Sequence, residues 1–70
     1  MAELKVFHDR EGGTLTVWFA DPTGEHVCEE TGDEVVLMKD SVGRVIGFEK
    51  LNFSISASDS LHVALETTPA

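Results

Sequence analysis

Along much of this chain apolar and polar residues alternate with a period of two. That is the period of a strand, whose successive side chains point to opposite faces. Over residues 4–8, Leu4, Val6 and His8 share one side. Over 14–19, Leu15, Val17 and Phe19 fall on one side and Thr14, Thr16 and Trp18 on the other. β-Branched and aromatic residues dominate this run, which suits a pleated surface. Between the two lies Asp9-Arg10-Glu11-Gly12-Gly13. Asp bonds its own backbone and Gly takes positive φ, so these residues read as a turn. The pattern predicts a hairpin.

Asp21-Pro22-Thr23-Gly24 has the composition of a type I turn. Residues 25–30 are short and polar and suit an edge strand, where charge guards against unwanted pairing. Thr31-Gly32-Asp33 turns again, and residues 34–39 and 44–51 form a second hairpin around Asp40-Ser41-Val42-Gly43. Both arms are apolar on both sides. Val35 and Leu37 oppose Val36 and Met38, and Val45 opposes Ile46 and Phe48. Strands covered on both faces lose polar alternation, so this hairpin is expected at the centre. Gly47 inside the strand predicts a bulge or a close backbone approach.

Residues 54–60 read as a linker. The tail alternates Leu61, Val63 and Leu65 like a strand, while Leu61, Ala64 and Leu65 with a Ser58 cap also fit a helix; brevity favours the strand. Residues 67–70 are expected to fray. The expectation is a mainly β single domain over 1–70, with a core at 4–54 and a C-terminal extension at 55–70. Its architecture is a small antiparallel β-meander of four to five strands: two hairpins plus a C-terminal strand or short helix.

Size adds a constraint. A chain of 70 residues rarely draws more than about 3–5 kcal/mol from its core without a staple. Cys28 is the only cysteine, so no disulfide closes within the chain. Oligomerisation follows by elimination, and the two-sided hairpin makes a dimer the expected form. The lone cysteine fits a reducing compartment. The N-terminus lacks a cationic start followed by an apolar run, and no run reaches bilayer length. A cytoplasmic, soluble protein is expected. The net charge of −8, with five Lys and Arg residues, argues against nucleic acid and anionic membranes. It leaves room for a basic protein partner.

Candidate chemistry is sparse. His26 and Cys28 are two apart and share a strand face, with His8 and Asp9 as distant contributors to a metal site or small hydrolase. Structural zinc wants four ligands and catalytic zinc three, and no second pair is visible. The plainer reading is a buried Cys beside a surface His, with no metal and no cofactor. Glu29 and Glu30 beside Cys28 raise a thiol's pKa rather than activate it. No nucleophile elbow or phosphate-binding glycine loop occurs. Glu49 stands out as a charge inside the most apolar strand. It is read either as a binding group or as a surface residue paired with Lys39 across the hairpin. Trp18, on the nominally outer face, is a contact candidate. Trp18, Met38, Ile46 and Phe48 are the expected interface, with Glu49 as a polar contact.

Residues 6–19 and 43–54 resemble the small prokaryotic family known as domain of unknown function 2283. The ending matches from Asp40 through Gly43, Arg44, Val45, Gly47, Glu49 and Leu51, with Ser54 beyond. The start matches at Asp9, Glu11 and Leu15, and departs at His8 and Gly13, where the family has Tyr and Asp. The resemblance implies a compact β meander and carries no activity. Family genes resemble partners of small toxin-like genes, which implies an antitoxin-like acidic binder. The expected function is therefore a non-enzymatic, homo-oligomerising interaction module. An acidic partner of a basic protein is the second expectation, and a metal-binding protein or small hydrolase using His8, Asp9, His26 and Cys28 the third.

Overall fold

The computed structural model of the chain describes residues 2–69. Five strands form one antiparallel sheet: β1 Lys5–Asp9, β2 Thr14–Trp18, β3 Val27–Glu30, β4 Val35–Lys39 and β5 Val45–Lys50. A single 3₁₀ turn, Pro22–Gly24, interrupts the link from β2 to β3, capped by the Asp21 carboxylate accepting from the Thr23 amide at 3.0 Å. The sheet order is β1-β2-β5-β4-β3. It departs from a plain meander. The β3-β4-β5 segment is a meander, but the first hairpin docks β2 onto β5, and the link of residues 19–26 carries the chain to the opposite edge. β5 thus has a strand on each side and sits at the centre of the sheet, the position expected of the second hairpin.

Two glycines make this arrangement possible. Gly43 sits at φ 86°, in the left-handed region, and closes the β4–β5 turn with its amide donating to the Asp40 carbonyl at 3.0 Å. The Asp40 carboxylate fixes the same turn by accepting from the amides of Val42 at 3.0 Å and Arg44 at 2.9 Å. Gly47 answers the sequence expectation in both its forms. A Cβ there would stand 2.7 Å from the Val17 carbonyl oxygen and 2.8 Å from Trp18 Cε3, so the indole rests on the glycine. One residue earlier, the register shifts between Met38 and Lys39, which makes Ile46 the extra residue of a bulge. Ile46 is 6% exposed, beneath the Pro22–Gly24 turn.

The fifth strand is residues 27–30 and not the C-terminal segment. Residues 60–69 form neither strand nor helix, and Leu65 is 84% exposed. The alternation of Leu61, Val63 and Leu65 is real, but no sheet edge lies alongside to accept its backbone hydrogen bonds. Among the described residues, the hydrogen bonds that tie the C-terminal segment to the sheet reach only as far as Asp59. Arg10, in the β1–β2 turn, donates to the carbonyls of Ser56 at 3.0 Å and Asp59 at 3.2 Å.

The result is an open layer. Met38 and Ile46 are the only buried apolar side chains among the described residues. The accessible surface is 5567 Å², where a compact chain of 7.6 kDa would expose about 4,300 Å². The radius of gyration is 13.7 Å, against about 11 Å for a compact domain of this length. Part of the excess is the tail, and the rest is sheet face.

Candidate functional site

Paired residues of neighbouring strands point to the same side, so the register sorts every strand residue onto one of two faces. On the first, one row runs Lys5, Trp18, Gly47, Met38, Cys28 across all five strands, and the next runs Phe7, Thr16, Glu49, Val36, Glu30. On the second, the rows are Val6, Val17, Phe48, Leu37, Glu29 and His8, Leu15, Lys50, Val35. The pattern readings for 4–8, 14–19 and 35–38 correspond to these faces.

The first face holds an open groove of about 320 Å³ lined by Phe7, Trp18, Val36, Met38, Cys28 and Glu49, with Thr16 and Glu25 at its margins. Met38, 4% exposed, forms the floor between Trp18 and Cys28. Glu49 is half-buried, and its hydrogen bond is from Thr16 Oγ1, long at 3.5 Å. Among the described residues it makes no ion pair. Lys39 bonds Glu29 instead, which corrects the expected Lys39–Glu49 pair. The turn sets the register: Lys39 faces Val45 beside the turn, and Glu49 faces Val36 at the far end of the hairpin. The Cys28 thiol is exposed rather than buried. It donates to the Glu25 carboxylate at 2.9 Å, and that bond, followed by desolvation and the nearby carboxylates, pushes its pKa up.

The second face is apolar at Val6, Leu15, Val17, Val35, Leu37 and Phe48, and Phe19 extends it by packing on Phe48 at 5.9 Å between ring centroids. Its charges at the margins are matched. Lys39 pairs with Glu29, and Lys50 with Glu34 at 3.2 Å. His8 closes one end, its ring edge-on to Phe53 at 5.4 Å and its Nε2 enclosed without a hydrogen-bond partner.

The expected interface residues therefore do not form one patch. Trp18, Met38 and Glu49 share the first face, Phe48 lies on the second, and Ile46 is buried at the bulge. The metal or hydrolase grouping is not assembled either. His8 and Asp9 are on β1, His26 and Cys28 at β3, the two opposite edges. Four strand spacings separate them, about 19 Å. Asp9 is engaged in its own turn, accepting from the Gly12 amide at 2.9 Å. The sequence reading missed Arg10 as the tail's anchor and Glu25 as a groove residue. Neither carries a local signal, because both act on residues that only the fold brings near.

A family model described as a protein of unknown function, DUF2283, matches residues 5–54, which include all five strands. The resemblance read from the residues is thereby shown. No curated protein and no solved structure matches the chain. Of the residues that carry the resemblance, Asp40, Gly43 and Arg44 build the β4–β5 turn and Gly47 seats Trp18. Glu49 has no comparable structural task.

Proposed function

The chain belongs to the DUF2283 family, and from that premise we propose that it is a small non-enzymatic interaction module that pairs with a second copy through the Val17–Phe48 face. Charge and surface together support this reading. The face is apolar at Val6, Leu15, Val17, Val35, Leu37 and Phe48, with Val6 40% and the adjoining Phe19 50% exposed, and its marginal charges are paired. A face of five strands has a plan area of roughly 400 Å². That is about the largest apolar patch a monomer ordinarily exposes. Two such faces bury about 800 Å² in total, below the roughly 1,200 Å² of a stable interface and in the size range of weak, transient contacts. The dimer is accordingly weak, with a dissociation constant of order micromolar.

Light scattering on the eluting protein tests it. At roughly 100 μM the mass is twice 7.6 kDa, and near 1 μM it falls toward the monomer. A folded protein that stays monomeric across that range ends the proposal. An acidic partner of a basic protein is the second reading, favoured by Glu49 and Glu30 of the other face, which make no ion pair among the described residues.

A further inference from the structure

We propose that the groove on the Trp18 face receives an arginine side chain from a basic segment of a partner protein. The inference rests on the interaction-module reading in general, and not on the dimer, which uses the opposite face. It begins with an inventory of cations. The chain has five Lys and Arg residues, and each lies beside an acceptor other than Glu49. Lys5 lies 3.8 Å from Glu3, Arg44 3.1 Å from Asp40, and Lys50 3.2 Å from Glu34. Lys39 holds Glu29, and Arg10 holds the tail carbonyls. Glu49 is thus a carboxylate half-withdrawn from water among Phe7, Trp18, Val36 and Met38, with only a long hydrogen bond from Thr16. A second copy would bring a further net charge of −8 toward Glu49, so the complementary charge comes from a different, basic protein.

Geometry favours arginine. Trp18 on β2 and Glu49 on β5 occupy adjacent rows of one face and stand diagonally across the two strands, with backbones about 8 Å apart. The inner side of the indole rests on Gly47, which leaves its outer side to the groove. A guanidinium laid on the outer side of the ring meets the Glu49 carboxylate in the plane of its N–H fork, and its carbon stem crosses Met38 and Val36. A groove of about 320 Å³ is at the small end of ligand sites, suited to one long side chain. Glu25 stands at its margin as a second acceptor.

Trp18 is the only tryptophan and there is no tyrosine, so its emission reports the groove directly. The probe is the peptide acetyl-Gly-Arg-Gly-Arg-Gly-amide, with a citrulline peptide as its neutral isostere. The arginine peptide is expected to change Trp18 emission saturably, more weakly as salt rises, and the citrulline peptide is not. Glu49→Gln, folded by circular dichroism, is expected to weaken binding at least about tenfold, the scale of a lost charge-assisted bond. Glu11→Gln, in the exposed β1–β2 turn, leaves it unchanged. Val6→Lys, which targets the dimer face, also leaves it unchanged, so failure of the dimer reading and failure of this one are separable. A linear, unsaturable response, equal binding of the citrulline peptide, or equal losses in Glu49→Gln and Glu11→Gln overturns the proposal.

Discussion

The two faces of this sheet share every backbone hydrogen bond and differ in what their charges do. On the Val17–Phe48 face each marginal cation has its carboxylate, and the interior is apolar from β1 to β4. On the Trp18 face the aromatic and aliphatic residues surround Glu49, and neither Glu49 nor Glu30 has an ion-pair partner among the described residues. A neutral apolar face is complementary to itself. A face with an uncompensated carboxylate is complementary to a cation. The difference teaches that composition alone misleads here: a net charge of −8 is not spread evenly, and the surface it leaves neutral is as informative as the surface it leaves acidic.

Substitutions can break this comparison in graded ways. The largest effect is expected at Gly47, whose backbone separates the faces. In Gly47→Val the new Cβ would meet the Val17 carbonyl at 2.7 Å and Trp18 at 2.8 Å. Overpacking of this kind costs about 1–3 kcal/mol or more, most of what a small core supplies, and urea melts should show loss of the fold and of both faces together. Phe48→Ala removes the centre of the neutral face. It should lower stability by about 3 kcal/mol, and light scattering should show the dimer lost as well. Trp18→Ala, at a residue half-buried like Phe48, should lower stability by a comparable amount, about 3 kcal/mol, and leave the mass unchanged. If both alanine variants behave alike in mass, the faces are not functionally distinct.

Acid should act at the sheet's rims. The Asp40 pKa is held below its ordinary 3.8 by the Arg44 amide, and that of Glu34 below its ordinary 4.5 by Lys50. Folded-state values below the unfolded ones mean that this stabilisation is present above those ordinary values and lost as pH falls through the lower folded ones. The urea midpoint should be flat near neutrality and drop below pH 4.5, and Asp40→Asn should flatten part of the drop. The smallest effect concerns reactivity. The raised Cys28 pKa predicts slow alkylation by iodoacetamide compared with a free thiol, and faster alkylation in Glu25→Gln.

Much of this was legible in the residues. The alternation of Leu15, Val17 and Trp18 set one strand's faces, and Val35 through Met38 announced a two-sided strand with its central neighbour. Gly47 was legible as an irregularity, because a glycine in a run of branched and aromatic residues has a steric reason. The pairing of β2 with β5 was not legible. It depends on a link that crosses to the far edge, and local periodicity carries no information about which edges meet. The tail shows the converse: Leu61, Val63 and Leu65 have a strand's pattern, but a strand also needs a neighbour. At the site, Trp18 and Glu49 were singled out separately. Their union in one groove, and the separation of Phe48 from it, required the register.

The most direct test of the two-faced account uses neighbouring residues of β1 that point to opposite sides. Val6 is 40% exposed on the neutral face and Phe7 65% exposed on the groove face. Val6→Lys and Phe7→Lys add the same charge one residue apart, at positions open enough to tolerate it. Sedimentation of both at a concentration where the parent is dimeric should find Val6→Lys monomeric and Phe7→Lys dimeric. Dissociation of Phe7→Lys with Val6→Lys intact would contradict the account.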